Sequence, residues 1–242
     1  MTLLVPMYHR ASAGPFGNSA ATLEAHLGLI AQDCHCVLPG QRLRADRLNV
    51  CLSFDDATVD FYAVVFPLLR RLRLRALLAV PVGLVSQDSK TSMAQRLRAC
   101  EARAEDEAAA AVHCNWSEIA EMAASGSVAM AAHGMTHRRL DDDACDLSSE
   151  IVGAQALLAQ RSASRVESFV FPYGRFSSAA LSLARRHYRY VFRIGGADNA
   201  GWDAPLLYRF DADEMTSPAA LLSARRRLGY RSRRHWNALR GR

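Results

Sequence analysis

Apolar runs and helical segments alternate along the chain. Seven short runs rich in Val, Leu, Phe and Ile have the length of buried strands, at residues 3–7, 49–54, 76–82, 128–132, 168–172, 190–194 and 206–210. Five segments between them have the spacing of amphipathic helices, at residues 21–32, 62–73, 116–124, 148–160 and 177–186. Strands that alternate with such helices pair in parallel. The pattern predicts an α/β fold with a (β/α) barrel of about seven strands, complete or not, rather than an open sheet.

A few boundaries are readable in the sequence. Asn115 and Glu118 have the spacing of a capping box before the helix at 116–124, and Gly126 is a candidate stop. The stretch 86–112 is polar and then rich in Ala and Glu, which predicts a partly helical excursion. We expect a barrel domain over residues 1–212 and a basic helical segment over 213–242, either part of that domain or loosely attached.

Composition narrows the class of protein. The chain has 242 residues, half of them hydrophobic, which is enough to bury one large core. Its net charge is +6, but Lys90 is the only lysine. So strong an arginine preference is typical of genome composition, and we expect no nucleic-acid partner.

The C-terminal segment concentrates part of this charge. Eight arginines lie between residues 221 and 242, at Arg225, Arg226, Arg227, Arg231, Arg233, Arg234, Arg240 and Arg242. With Tyr230 and Trp236 between them, they suit an anionic lipid surface, a glycan phosphate or a nucleic acid. The plainer interpretation is a solvated terminal helix with a frayed tail. Peripheral contact with a membrane is therefore one of two hypotheses for this segment.

Compartment is predicted from two weaker signals. The first ten residues lack a basic region, a long apolar run and a cleavage site, so they do not resemble a signal peptide. Six cysteines are present without a CxxC pair, which removes the usual zinc-ribbon and thioredoxin spacings. Free cysteines suit a reducing compartment. We expect a cytoplasmic protein, and the sequence leaves its oligomeric state open.

Polar side chains follow four of the predicted strands. These groups are Tyr8-His9-Arg10, Asp55-Asp56, His133 with His137, and Pro172-Tyr173-Gly174. The carboxyl ends of parallel barrel strands meet at one face, where catalysis takes place. The sequence therefore predicts an active site built from residues far apart in the chain.

One carboxylate and two imidazoles suit a divalent ion and leave positions for water and substrate. His133 and His137 are four residues apart, and adjacent aspartates in an extended chain point in different directions, so Asp55 and Asp56 can have separate tasks. Each pair also has a plainer explanation. An Asp-Asp pair often begins a helix, and isolated histidines are often surface or capping residues.

These residues resemble the polysaccharide deacetylase family, also called NodB-homology or carbohydrate esterase family 4. Ser53-Phe54-Asp55-Asp56-Ala57 is similar to its T/S-F-D-D-G motif, His133-Gly134-Met135-Thr136-His137 to its H-x-x-T-H form, and Phe171-Pro172-Tyr173-Gly174 to its P-Y-G motif. The order and spacing agree from about residue 3 to residue 210.

The resemblance implies roles for several residues. Asp55 would be the general base, and Asp56, His133 and His137 would bind the metal, with zinc as the default ion. The backbone N–H of Tyr173 would help hold the oxyanion. The implied fold is a distorted (β/α) barrel of about seven strands.

Three departures from the family pattern are visible. Ala57 replaces the motif glycine, a change we expect to be tolerated unless φ is positive there. Val170 replaces the arginine that precedes the P-Y-G turn, and we expect Arg209 to substitute for it. No late motif supplies the catalytic histidine, and we expect His9 to be the general acid. The alternative is that His9 only packs or hydrogen-bonds at the barrel mouth.

The resemblance implies a metal-dependent hydrolase that removes an acyl group from an amino sugar during envelope, capsule or lipopolysaccharide assembly. A cytoplasmic enzyme would act on a nucleotide-linked, lipid-linked or oligosaccharide substrate. Two alternatives stay open. The first is a deformylase or amidase that acts on another small amide with the same site. The second is a catalytically silent carbohydrate-binding relative, because Ala57 and Val170 depart from the motifs.

Overall fold

A computed structural model describes residues 1–102, 112–142 and 144–239. The strands are β1 (Leu3–Leu4), β2 (Pro6–Tyr8), β3 (Cys34–Cys36), β4 (Leu48–Val50), β5 (Leu52–Phe54), β6 (Ala76–Val80), β7 (Val128–Ala132), β8 (Ser168–Val170), β9 (Tyr190–Ile194) and β10 (Leu207–Asp211). Seven of them close a barrel in the order β10-β2-β5-β6-β7-β8-β9. Every neighbouring pair is parallel. The predicted seven-stranded (β/α) barrel is confirmed.

Helices and helical turns connect the strands. The α-helices are α1 (Ala20–Asp33), α2 (Phe66–Arg71), α3 (Met93–Ala102), α4 (Trp116–Ala124), α5 (Ala154–Ser162), α6 (Ser178–His187), α7 (Pro218–Leu221) and α8 (Ala224–Leu239). A π-helical turn precedes α2 at Phe61–Val65, and another precedes α5 at Ser148–Gly153. The five predicted helices are all present. The predicted capping box before α4 is also present, with reciprocal hydrogen bonds between Asn115 and Glu118.

Two layers of apolar side chains stabilise the barrel. Alternate residues of β6 divide between them: Leu77 and Ala79 belong to a cluster made almost entirely of strand residues, which fills the interior. Leu78 and Val80 belong to a larger cluster that includes buried residues of the helices. Side chains of a strand alternate between its two faces, so this division is the expected consequence of a sheet closed on itself.

A small second sheet, which includes the strands that immediately precede β2 and β5, was not predicted. Strand β4 is its central strand and pairs in parallel with β1 on one side and with β3 on the other, in the order β1-β4-β3. Strand β3 contains only Cys34-His35-Cys36 and has no apolar run, so periodicity could not indicate it. All six cysteines are free.

Helix α8 packs against the barrel. The ring of Tyr230 stacks on Phe210 with 4.3 Å between centroids. Nε of Arg234 lies 3.4 Å from Oδ1 of Asp198.

Arg240 and Arg242 lie outside the described residues, and the domain boundary at residue 212 stays a prediction. Part of the predicted excursion at 86–112 is helical, as α3, whereas residues 103–111 of it lie outside the described part. Among described helices, none combines the length and apolarity that a membrane crossing requires.

Candidate active site

The polar residues at the barrel mouth continue the inward-facing positions of their strands. Along β5 and the residues that flank it, the series runs from Cys51, in the interior cluster, to Ser53 and then Asp55. On β10 it runs from Leu207 to Arg209. Every second side chain of a strand points to the same face. The inward-facing positions that follow the end of a strand therefore lie at the barrel mouth.

Asp55 is buried and held by Arg209. The two guanidinium nitrogens Nη1 and Nη2 lie 2.6 and 2.9 Å from the carboxylate oxygens, and Nη1 also donates to Oγ of Ser53 at 2.9 Å. Arg209 is completely buried. Burial by itself would raise the pKa of the Asp55 carboxyl, but the charges of Arg209 and His133 lower it. The geometry keeps Asp55 ionised.

Val170, at the position of the family's arginine, lies in the apolar barrel interior. Arg209 reaches Asp55 from another strand, as we expected of its substitute. Neither Asp55 nor Asp56 begins the following helix, because the helical turn at Phe61–Val65 starts after Asp60.

Asp56, His133 and His137 form a compact set of ligand atoms. One atom from each residue lies within 4.8 Å of the others. Oδ1 of Asp56 is 3.1 Å from Nε2 of His137 and 3.7 Å from Nε2 of His133. This buried oxygen nevertheless has no hydrogen-bond partner of acceptable geometry. Burial opposes ionisation of Asp56, but the contact with His137 and the other histidines hold the pKa of its carboxyl well below its usual value.

The histidine tautomer fits a metal centre. Nδ1 of His133 lies 2.8 Å from the carbonyl oxygen of Val170, so Nδ1 carries the proton and Nε2 is left with its lone pair toward Asp56. Burial lowers the pKa of His133 to about 4, which keeps the imidazole neutral. Two imidazole nitrogens and one carboxylate oxygen, with an unsatisfied buried oxygen among them, are a suitable donor set for Zn²⁺ or a similar divalent ion.

The loop between the two histidines is folded around Glu150, which the sequence analysis did not identify. The Glu150 carboxylate accepts hydrogen bonds from the backbone N–H of Met135 at 2.7 Å and of Thr136 at 3.0 Å, and from the Thr136 hydroxyl. Gly134 has φ +81°, and a Cβ there would lie 2.8 Å from Oε2 of Glu150. Gly134 is therefore needed both for its conformation and for this close approach.

His9 lies next to Asp55 and is oriented by Asp213. Nε2 of His9 is 3.9 Å from Oδ2 of Asp55, while Nδ1 is 2.5 Å from Oδ2 of Asp213. Burial opposes protonation of His9, but the Asp213 hydrogen bond and the nearby Asp55 raise its pKa to about 9. A protonated imidazole is the form that a general acid requires. Asp213 was not predicted from the sequence, although its place two residues beyond β10 was the available signal.

Tyr173 stands on a tight turn beside the ligands. Its φ and ψ are 56° and 5°, and its ring centroid is 4.9 Å from that of His137. Asp56, Ala57 and His137 also have positive φ, at 70°, 48° and 55°. Ala57 thus meets the condition under which we expected its Cβ to be strained. Such strained residues cluster at functional sites, where the surrounding structure holds them in place.

The site opens into a cavity of about 780 Å³. Besides His9, Asp55, Asp56, His133, His137 and Tyr173, its lining includes Met7, Arg10, Phe16, Val112, His113, Ile194 and Asp211. The sequence analysis also missed His113, whose Nδ1 lies 2.9 Å from the Asp56 carbonyl oxygen. This size suits a small organic ligand.

Three solved structures have a fold similar to that of this chain. A polysaccharide deacetylase from Bacillus cereus is 17% identical with a TM-score of 0.72, over 92% of this chain and 68% of that one. The Streptococcus pyogenes deacetylase PplD in complex with acetate is 18% identical with a TM-score of 0.71, over 92% and 97%. A de-N-acetylase from Aggregatibacter actinomycetemcomitans is 17% identical with a TM-score of 0.71, over 88% and 95%. At these identities the likeness shows the fold alone.

Sequence comparison identifies the family. No curated protein matches the chain. The family model described as polysaccharide deacetylase matches residues 44–191, which is more than half of the chain and includes the three motifs. The resemblance of the motifs, the closed barrel and the family match agree. The chain belongs to the polysaccharide deacetylase family, carbohydrate esterase family 4.

Proposed function

We propose that the chain is a metal-dependent hydrolase that removes the N-acetyl group from an amino sugar of an envelope glycan or its precursor. The observation that carries this proposal is the position of Asp55. It lies close to both the Asp56-His133-His137 set and His9, with Oδ2 at 3.8 Å from Nε2 of His133 and 3.9 Å from Nε2 of His9. A general base, a metal set and a general acid are thus grouped around one point.

Each residue has a distinct task in amide hydrolysis. A divalent ion held by Asp56, His133 and His137, with zinc as the default, would polarise the acyl oxygen and acidify a water. Asp55, kept ionised by Arg209, accepts the proton of the attacking water. The backbone N–H of Tyr173 stabilises the oxyanion.

Collapse of the tetrahedral species breaks the C–N bond. As this bond breaks, His9 donates its proton to the leaving nitrogen, and Asp213 holds the imidazole in position for this transfer. The products are acetate and the free amino sugar. Water supplies the oxygen gained by the acyl carbon and the proton taken up by Asp55. Return of that proton to His9 restores both residues, so the reaction needs no other reactant.

The nature of the substrate is proposed from chemistry and from structural relatives. The Streptococcus pyogenes deacetylase was solved with acetate, and the Aggregatibacter protein is described as a de-N-acetylase. For this chain we propose an oligosaccharide or a lipid-linked or nucleotide-linked precursor. Six free cysteines favour a reducing compartment such as the cytoplasm.

The direct test is acetyl release from N-acetylglucosamine oligomers by enzyme loaded with zinc or another divalent metal, followed by mass spectrometry. Release that disappears in Asp55→Asn supports the proposal. Activity only on formamido sugars or small cyclic amides would favour the amidase alternative. Oligomer binding without release by metal-loaded protein would favour the silent carbohydrate-binding alternative, which the strained Ala57 supports.

We also propose that helix α8 contacts an anionic membrane surface. Tyr230 faces the barrel, and Leu228 and Leu239 are exposed on the opposite side of the helix. Arginines on this helix would each contribute about 1 kcal/mol near anionic lipid. The test is sedimentation with vesicles that contain or lack phosphatidylglycerol. Binding that needs phosphatidylglycerol and is lost in the triple variant Arg225→Gln, Arg226→Gln, Arg227→Gln supports the contact, and equal binding of both proteins contradicts it.

A further inference from the structure

Phe16 is an exposed aromatic side chain at the mouth of the catalytic cavity. It is 63% exposed and lines the cavity. Its ring lies edge-on to His9, with 6.3 Å between ring centroids. Phe16 therefore presents an apolar ring to the solvent directly beside His9.

The backbone of Phe16 is held in an unfavourable conformation. Its φ is +56°, in the left-handed region that bulky residues rarely adopt. Its N–H donates to Oε1 of Glu214 at 3.2 Å, and the carbonyl oxygen of the next residue, Gly17, accepts from the N–H of Glu214 at 3.3 Å. These bonds tie both sides of Phe16 to the segment after β10, which also carries Asp213.

The rest of the loop is equally constrained. The N–H of Ala11 donates to Asp60 at 2.7 Å, and the N–H of Asn18 donates to the carbonyl oxygen of Arg10 at 3.1 Å. A Cβ on Gly17 would lie 2.5 Å from the carbonyl oxygen of Ser12, so the loop closes only with glycine there. The loop is hydrogen-bonded at both ends, and its backbone is strained at Phe16. The exposed ring of Phe16 is therefore held in one position.

Phe16 has a counterpart across the cavity. It follows β2, whereas Tyr173 follows β8, and these strands are separated by three strands on one side of the ring and two on the other. Tyr173 is 59% exposed and also has φ +56°. Each ring lies beside a different histidine, Phe16 by His9 and Tyr173 by His137. The catalytic groups therefore lie between two exposed aromatic walls.

We infer that Phe16 is a stacking platform for the pyranose ring that carries the reacting acylamino group. The inference rests on the proposed function and deepens it by assigning sugar recognition to this residue. The face of a pyranose presents C–H groups, which the negative face of an aromatic ring attracts, while its edge presents polar groups. A sugar stacked on Phe16 places its nitrogen substituent toward His9, the proton donor. Amides and esters without a sugar ring gain nothing from this contact.

The test compares Phe16→Ala, Phe16→Trp and the control His187→Ala, an exposed residue at the end of α6. Steady-state kinetics are measured on N-acetylglucosamine oligomers and on 4-nitrophenyl acetate, with metal-loaded enzyme. We expect Phe16→Ala to raise KM for the oligomers roughly 5- to 20-fold with kcat within about twofold. Phe16→Trp should retain the low KM, and the rate on 4-nitrophenyl acetate should not change in any variant.

Three results would overturn the inference. The first is an unchanged oligomer KM in Phe16→Ala while the wild-type enzyme is active, which removes the platform and leaves the proposed function standing. The second is an equal loss on both substrates that Phe16→Trp does not rescue, which marks a structural residue. A wild-type protein that releases no acetyl group from any amino sugar contradicts the proposed function, and the platform with it.

Discussion

Arg209 and Asp55 are joined by two hydrogen bonds inside the barrel mouth, although they are 154 positions apart in the sequence. Both are buried, so the pair is isolated from water and fixed in one geometry. Breaking a buried pair by removing one partner leaves an uncompensated charge and is strongly destabilising. The same contact therefore stabilises the fold and orients the proposed base.

The first prediction concerns this pair. Arg209→Lys keeps the positive charge but cannot reproduce the planar two-bond contact. We expect kcat/KM for an acetylated oligosaccharide to fall by about 10- to 100-fold, because the base is no longer held in position. Arg193→Lys, on the neighbouring strand β9, is the matched control and should retain most activity. Near-normal activity of Arg209→Lys would show that the two-bond geometry is unimportant.

The second prediction separates metal binding from base catalysis. Asp56→Asn removes the anionic ligand of the Asp56-His133-His137 set, so bound zinc or another divalent ion should fall from near one per chain by at least about tenfold. Asp55→Asn should keep the ion but lower kcat by about 10²–10⁴. Metal content is measured by mass spectrometry after dialysis. Loss of the ion in both variants would mean that Asp55 is a ligand.

The third prediction concerns the partner of His9. Asp213 raises the pKa of His9, so Asp213→Asn should lower that pKa. A general acid must be protonated to act, and activity in the variant should therefore be lost at a lower pH on the alkaline side. The kcat profile against pH measures this displacement. An alkaline limb that stays in place would indicate that Asp213 only supports the loop.

In the same series, His9→Ala should reduce kcat by about 10²–10⁴ if His9 is the acid. The matched control is His187→Ala, which changes an exposed histidine at the end of α6. Normal turnover in His9→Ala would remove it from the mechanism and leave only the packing interpretation.

The fourth prediction concerns stability. Arg96 of α3 makes a buried pair with Glu118 of α4, with nitrogen–oxygen distances of 2.6 and 2.9 Å, and also donates to the His113 carbonyl oxygen at 2.7 Å. Arg96→Met should lower the free energy of unfolding by about 3–5 kcal/mol, because Glu118 is left buried without its cation. Arg98→Met changes an exposed residue on the same helix and should cost little. Chemical denaturation measures both, and equal stabilities would contradict the assignment.

Much of the fold was predictable because apolar periodicity records which faces are buried. The seven barrel strands were predicted from their apolar runs, and α4 from its capping residues. Strand β3 was not, since three residues without an apolar run leave no periodic signal. The π-helical turns that precede α2 and α5 were also not predicted, because such a turn changes the register within an otherwise continuous helical pattern.

The candidate site was predictable only where residues follow strands in recognisable motifs. Asp55, Asp56, His133 and His137 stand in the motifs, and the structure brings them together. Asp213 and Glu150 do not stand in any motif that was recognised. Asp213 is hydrogen-bonded to His9, which is 204 positions away in the sequence, and Glu150 to Met135 and Thr136, which are 15 and 14 positions away. Such pairings depend on how the barrel closes.

By itself the sequence determined the barrel class, the family and the set of residues at the strand ends, because these follow from local periodicity and from motifs read in order. The sequence also suggested Arg209 for the place left by Val170, whereas tertiary structure alone decided that Asp213 orients His9 and that Phe16 stands exposed at the mouth. The physical reason is closure of the barrel: once β10 pairs with β2, side chains from the two ends of the chain become neighbours. No local sequence pattern records which residues become neighbours when the barrel closes.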